Sequence, residues 1–505
     1  MLLFSLLRTG VRYWRGQRPL VRDMQVMVDY ALRRRKRGLP AIPQGLGGRL
    51  RGVGGGSASN RRMQELQERK LRRTVEYAYR YVPFYRETMD EMGLKPSDVQ
   101  SLDDVRKLPI TRREHLAANP GAFISTYPGL VPTVTAQTGG TTGRPLQIYL
   151  TTEELEYYAT GEAFTGLVDG FLGPEEIYQT HFTVDEAVES IILTRAAQKA
   201  GTLMLTLGTI GTLDDHLESI FRERHIPGKK PKVSALMISP SHLWALTRRA
   251  EELGVDFSQS GLERINTGGA MVSDDLKQRV KDTWGIRLRE GYGLTEAFTC
   301  VAGECGYSDR LHFSDMSGYA EVLDPETEQP VAPGEAGVLT MTTFYPDREL
   351  MPLLRYWTAD MVILAPDRNC PCGLPTTQFL DIVGRADHMV KVGLQAFYPQ
   401  EIGDSLLAFP ELVRPPRFTL RTEQREDAQY ALLDVEVQGL LSEGEREELA
   451  KRIAEGIVLS RYYQVKMGAV KLEVSLRPEG DIEHPFAYKH RHAVFAPGAS
   501  GVDST

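Results

Sequence analysis

The stretch Gln137-Thr138-Gly139-Gly140-Thr141-Thr142-Gly143-Arg144-Pro145 joins three glycines, three threonines and one fixed positive charge. Glycines let backbone N–H groups converge on an anion, the hydroxyls add donors, and Arg144 adds charge, so the chemistry on offer is phosphate binding. No Gly-Lys-Ser/Thr closes the loop. It runs into the strand-like Leu146 to Leu150 rather than into a helix whose dipole could assist. Taken alone, an ordinary Gly/Thr turn is the alternative reading. A second chemistry is suggested by the four cysteines, Cys300, Cys305, Cys370 and Cys372, whose spacing fits metal ligation better than a secreted disulfide framework.

Such groups need elements to position them. Leu71, Val75, Ala78 and Val82 recur on one helical face, predicting a helix from Arg61 that stops near Pro83. Ser101 with Asp104, Thr111 with Glu114 and Thr151 with Glu154 each place an acid three residues after a hydroxyl, which marks helix starts. Between residues 150 and 385, short β-rich runs alternate with amphipathic helices: Val233 to Ile238 as strand, Ser241 to Leu253 as helix, Arg264 to Asn266 as strand ending in Thr267-Gly268-Gly269-Ala270. This alternation predicts buried, largely parallel sheets, with ligands at the carboxyl ends of strands, so Thr267 to Ala270 and Glu290 to Glu296 are where a site is expected. After Arg385 the pattern changes to helix Pro399 to Leu407, strands Arg417 to Leu420, Leu433 to Val437 and Val470 to Leu476, and helix Ser442 to Ile457. These make a compact domain of roughly a hundred residues.

At 505 residues the chain is too long for one ordinary core. Its 41% hydrophobic and 25% charged content with net charge -7 gives no reason to invoke nucleic acid. The opening segment is the basic exception, with Arg8, Arg12, Arg15, Arg18, Arg22 and the run Arg33 to Arg37. Met1 to Leu7 is far shorter than the roughly 20 residues of a membrane span, so it is read as neither signal nor anchor. The segment is expected to be a solvated extension, with contact to an anionic membrane surface or an acidic partner as the alternative. Gly52 to Ser59 reads as a linker, and a cytoplasmic location is expected.

Four separated pieces then agree: Thr138 to Pro145, Gly291-Tyr292-Gly293-Leu294-Thr295-Glu296, Arg355-Tyr356-Trp357-Thr358-Ala359-Asp360 and Gly384-Arg385-Ala386-Asp387. Their order and spacing resemble the adenylate-forming ligase superfamily, and within it the phenylacetate–CoA ligase family. Tyr81-Val82-Pro83-Phe84-Tyr85, Ser101 to Pro109 and Cys370-Pro371-Cys372-Gly373 add to this likeness, which runs from residue 61 to about 490. The resemblance implies an α/β fold with a large multi-sheet adenylation domain (61–384), a hinge (385–387) and a small mobile α+β domain (388–492). Residues 1–60 form the extension and linker, and 493–505 a tail.

The resemblance also implies roles. Thr138, Gly139, Gly140, Thr141, Thr142, Gly143 and Arg144 would hold the phosphates that depart as pyrophosphate; Gly139 stands where relatives carry a hydroxyl, leaving that work to the threonines. Gly268, Gly269 and Ala270 would lie beside adenine and the acyl group, Tyr292 and Gly293 against adenine, Thr295 near phosphate, and Glu296 on magnesium. Asp360 would take the ribose diol, although Ala359 replaces a usual glycine. Arg385 would contact ribose or phosphate, and Asp387 would be the hinge, or else an ordinary surface acid. Lys489 would act at the α-phosphate, yet Tyr488 precedes it where relatives have glycine. Cys305, His312, Cys370 and Cys372 would form a closed structural zinc set, leaving Cys300 as a buried thiol. His181 would line the acyl pocket or be a plain core histidine. The implied activity is ATP- and magnesium-dependent activation of an aryl or arylacetic acid through an acyl-adenylate, followed by transfer to coenzyme A, with a homodimer as a further expectation. Lys391-Val392-Gly393-Leu394 departs from the family, so transfer to another acceptor, or adenylation of a cofactor, stays open. So does a non-catalytic nucleotide-binding protein on this fold.

Overall fold

The computed structural model describes residues 2–41, 57–137, 146–182, 189–208, 211–269, 272, 274–297, 299–305, 307–372, 376–386, 390–392, 395–397, 399–413, 416–425, 429–461, 465 and 470–482. Thr138 to Arg144, Ala270, Asp387 and Lys489 lie outside them. A helix over Ser57–Tyr81 buries Leu71, Val75 and Ala78 completely. It ends at Pro83, where a second helix, Pro83–Glu91, begins with Pro in its first turn. Both pack into the largest apolar cluster together with Phe123, Phe344 and Leu354.

Strands β1 (Val134–Gln137) and β2 (Gln147–Leu150) form a hairpin around the glycine loop. The helix Thr152–Asp169 follows, and its predicted capping box is present: Glu154 N–H donates to Thr151 Oγ1 (3.0 Å) and Thr151 N–H to Glu154 Oε2 (2.8 Å). The other Glu154 oxygen accepts the backbone N–H of Glu349 and Leu350 and faces the fully buried Arg348 guanidinium at 3.3 Å. Glu154 thus starts the helix and anchors the 348–350 segment beside it.

Next come β3 (Ile177–Thr180), β4 (Leu203–Thr206), β5 (Ala235–Ile238), β6 (Arg264–Gly268) and β7 (Leu288–Leu294). They are joined by parallel pairing in the order β4-β3-β5-β6-β7, with helices Glu189–Ala200, Leu213–Phe221, Pro240–Leu253 and Asp274–Trp284 between strands. From there the sheet is antiparallel: β8 (Thr299–Glu304), β9 (Leu311–Phe313), β10 (Gly318–Leu323), β11 (Ala336–Thr343), β12 (Tyr356–Leu364) and β13 (Gln378–Arg385). The single 11-stranded sheet is therefore mixed, and the expectation of largely parallel pairing fails after β7. Among the described residues no helix lies between β7 and β13 to make crossovers, and the strands there pair antiparallel.

Beyond β13, β14 (Val390–Val392) pairs with β15 (Gln395–Phe397). A helix, Pro399–Leu406, leads to a three-stranded sheet of β16 (Phe418–Gln424), β17 (Gln429–Val437) and β18 (Val470–Pro478). β17 and β18 run parallel, so their connection contains the helix Glu443–Gly456, capped by Ser442. Phe418, Leu433, Val435 and Ile453 belong to a separate apolar core.

Three local expectations are corrected. Thr111 does not cap a helix: its hydroxyl donates to Leu354 O (2.7 Å), it bridges to Tyr356, and the helix Arg113–Ala118 is capped from Arg112. Ser239, not Ser241, caps the helix at Pro240, because proline at the first helical position needs no N–H partner. Nor is the basic amino-terminal segment solvated. Its helices Leu2–Trp14 and Val21–Arg35 dock on the body, burying Val28 and Ala31 against Ala163, Leu167 and Ala197. Arg8 pairs with buried Asp23, Arg35 with Glu175 and Arg18 with Glu349. Alternating apolar and basic positions thus serve packing on one side and ion pairing to the body on the other. Of the expected linker, Ser57 to Ser59 fall inside the helix ending at Tyr81. No described helix is long and apolar enough to cross a membrane.

Candidate functional site

The small residues closing β6 have steric causes. A Cβ on Gly268 would stand 2.6 Å from the Gly291 carbonyl oxygen, so β6 and β7 approach at a distance only glycine allows. Gly269 has φ +80, a left-handed conformation that side chains resist, and its bare Cα faces Phe182. The carboxyl ends of β6 and β7 therefore present backbone directly, as a flat ligand would need.

β7 carries Tyr292 and Gly293, and the turn that follows carries Thr295 and Glu296. β12 begins with Tyr356 and contains Asp360. The two strands are separated by β8, β9 and β13 in sheet order, yet their side chains meet. Tyr292 Oη donates to Asp360 Oδ2 (2.6 Å), and Tyr356 Oη donates to Glu296 Oε1 (2.8 Å). Each acid lies four residues after a tyrosine, and each tyrosine grips the other segment's acid. This reciprocal brace ties the two segments together and holds one oxygen of each carboxylate. Burial, with the neighbouring carboxylate adding to it, pushes both phenols well above their ordinary range, so they remain donors.

The rest of each carboxylate is arranged differently. Arg385, opposite Asp360 in the β12–β13 register, donates from Nη1 to Asp360 Oδ1 (3.2 Å). Asp360 is thus oriented by a phenol and a guanidinium on its two oxygens. Glu296 Oε1 also has Arg113 Nη1 at 3.7 Å, while Oε2 has no hydrogen-bond partner among the described residues. An acid with one oxygen clamped and one open fits a cation that takes a single carboxylate ligand and keeps waters, as magnesium does. Ala359 sits at φ +62, which explains why glycine suits this position.

Tyr356 and Arg113 join the site without a role that their sequence motifs assign. The period-two burial of Tyr356, Thr358 and Asp360 marks one strand face and could have exposed the first; Arg113 arrives through tertiary packing and leaves no local signal.

Glu290, on β7 opposite Thr267, is buried beside Lys277 Nζ (3.2 Å). Burial outweighs the lysine and pushes its carboxyl up to about 7. His181, following β3, is buried in contact with His216 and His242, and Phe182 next to it packs over Gly269.

Cys305, His312, Cys370 and Cys372 bring one ligand atom each within 4.8 Å of one another. Cys305 Sγ and Cys370 Sγ are 3.5 Å apart, and Cys372 Sγ lies 3.6 Å from His312 Nε2. Tetrahedral zinc bonds of about 2.3 Å to sulfur and 2.0–2.1 Å to nitrogen place such pairs roughly 3.8 and 3.6 Å apart, so the residues fit that ion. Thr376 Oγ1, 2.7 Å from His312 Nδ1, orients the ring with Nε2 toward the sulfurs.

The chain is similar to several known proteins. The AMP-binding enzyme family profile matches residues 134–343. The chain is 28% identical to the phenylacetate-coenzyme A ligase of Thermus thermophilus over 378 residues, covering 74% of this chain and 82% of the relative. It is 25% identical to the enzyme of that name from Escherichia coli over 373 residues, 73% and 81% of the two chains. Its fold matches 2-hydroxyisobutyryl-CoA ligase in the postadenylation state with a TM-score of 0.69 at 20% identity, over 88% of this chain and 91% of the other.

Proposed function

We propose that this chain, an AMP-binding, adenylate-forming enzyme resembling the phenylacetate–CoA ligases, is an acid–thiol ligase. It activates an aryl or arylacetic acid with ATP and passes the acyl group to coenzyme A. The observation supporting this most directly is the reciprocal Tyr292–Asp360 and Tyr356–Glu296 brace, which presents two oriented carboxylates beside the bare strand ends at Gly268 and Gly269.

In the first half-reaction the substrate carboxylate attacks the α-phosphorus of ATP and pyrophosphate leaves. Asp360, held by Tyr292 and Arg385, accepts the ribose hydroxyls. Glu296 would hold magnesium through Oε2, and the ion would supply charge neutralisation on the phosphates. Thr138 to Arg144 strap the departing pyrophosphate, Thr295 adds a contact to phosphate, and Lys489 meets the charge that develops at the α-phosphate. Gly268, Gly269 and Ala270 flank adenine and the acyl group. A turn of the small domain at Asp387 then admits the thiol, whose sulfur attacks the acyl carbonyl and releases AMP. Cys305, His312, Cys370 and Cys372 would hold a structural zinc, which would stabilise the fold there and take no part in either step.

Pyrophosphate release measured across aryl, arylacetic and fatty acids, with and without coenzyme A, tests this reading. Acid-dependent release with thioester formed only in the presence of coenzyme A is expected. Release without thioester would replace coenzyme A by another acceptor, and no release with any acid would remove the ligase reading.

A further inference from the structure

A second imidazole-bearing cluster stands apart from the cysteine set. His181 leaves the carboxyl end of β3, His216 comes from the helix Leu213–Phe221, and His242 from the first turn of Pro240–Leu253. One nitrogen of each ring lies within 4.8 Å of one nitrogen of the other two. The ring centroids are 4.6 to 5.0 Å apart in all three pairings, and His216 Nδ1 is 3.0 Å from His242 Nε2. His181 and His216 are buried, and His242 is half-buried. Three unrelated elements thus aim imidazoles at one point on the sheet edge where α/β proteins build ligand sites.

We infer that His181, His216 and His242 bind a divalent ion of the zinc class through three imidazoles, leaving a fourth position open. Metal–nitrogen bonds of 2.0–2.1 Å set tetrahedral nitrogens about 3.4 Å apart, so the His216–His242 pair is already close to the required spacing. An all-imidazole set favours zinc, cobalt or nickel over magnesium or calcium.

The surroundings of His181 supply the second observation. Its Nδ1 is buried without a properly formed hydrogen bond, although the Gly208 backbone lies beside the ring. Its Nε2 is 3.1 Å from the Gln179 amide, and Ser219 Oγ and Arg224 continue the chain behind that amide. The same amide nitrogen lies 3.5 Å from His216 O, and Ser219 Oγ donates to the amide oxygen, so Gln179 is held against two of the three histidines. A buried polar side chain that orients ligating histidines is the usual support of a metal site. The ion would lie one residue from Phe182, which covers Gly269, and therefore behind the acyl side of the proposed adenylate site. The inference does not depend on the ligase reading.

The full chain, stripped with chelator and titrated with cobalt(II), tests it. Thiolate ligation gives a charge-transfer band in the near ultraviolet, whereas imidazole-only ligation gives visible d–d bands without it. Wild type is expected to take up one equivalent with the imidazole-only spectrum, besides any held by the cysteines. His242→Gln, verified as folded by circular dichroism, loses that equivalent and retains the thiolate spectrum. Cys370→Ser does the reverse, and Gln179→Leu weakens the imidazole-only equivalent about 10- to 100-fold. If wild type shows no such equivalent, or if His242→Gln keeps it, the three rings are a hydrogen-bonded knot and the inference fails.

Discussion

Replacing Tyr292 by Phe removes one hydroxyl from the brace and leaves the buried ring in place. The lost bond is 2.6 Å long and ends on a carboxylate that is only 12% exposed, so it belongs to the charged class of hydrogen bonds. That class contributes about 1.5–3 kcal/mol. Arg385 still holds the other oxygen at 3.2 Å, which limits how far Asp360 can turn and favours the lower figure. About 1.5 kcal/mol corresponds to roughly a tenfold weaker hold on the ribose. Because the ribose is gripped equally before and during phosphoryl attack, the loss should be uniform: KM for ATP rises roughly tenfold while kcat changes less than about twofold. AMP affinity measured by calorimetry should fall in parallel. An unchanged KM, tighter AMP binding from a freed carboxylate oxygen, or a fall confined to kcat would each refute the assignment of Asp360 to the ribose. A parallel melting curve separates this from unfolding.

Ala359→Gly should leave stability unchanged or raise it by up to about 1 kcal/mol in urea titration, the opposite of glycine in an ordinary strand, because φ +62 strains alanine. Glu290 has a folded-state pKa of about 7 against an ordinary 4.5, caused first by burial. The folded chain therefore keeps a proton that the unfolded chain has released, and this group's contribution falls as pH rises from 4.5 to 7, then levels. Glu290→Gln, judged with Lys277, Glu304 and Asp381 facing the same group, should remove about 3 kcal/mol of that decline between pH 4.5 and 8, and identical slopes in the two proteins would exclude it. Cys370→Ser should remove the one zinc equivalent held by the cysteine set and lower the melting temperature, and a metal count showing no loss would exclude that site.

Which parts of this molecule were legible in its sequence follows from the range over which each signal acts. The Thr151–Glu154 box, the buried face of Leu71, Val75 and Ala78, and the glycine pair at 268 and 269 are set by neighbours within a turn or by the backbone itself, and all are present. Thr111 obeyed the same local rule and yet failed, because its hydroxyl found a buried carbonyl at Leu354, a partner 243 residues away. The amino-terminal segment departs from expectation for a related reason. Its arginines look solvated in sequence, but Arg18, between the two helices, and Arg35 meet Glu349 and Glu175, acids that only the folded body brings near. The site shows both regimes at once. Motif spacing singled out Tyr292, Glu296 and Asp360 separately, whereas their exchange of partners across three intervening strands depends on how the sheet curls. The spacing of four from tyrosine to acid, present twice, is the trace that exchange leaves in the sequence. It becomes readable once β7 and β12 are known to meet, and it assigns Tyr356 the same standing toward Glu296 that Tyr292 has toward Asp360.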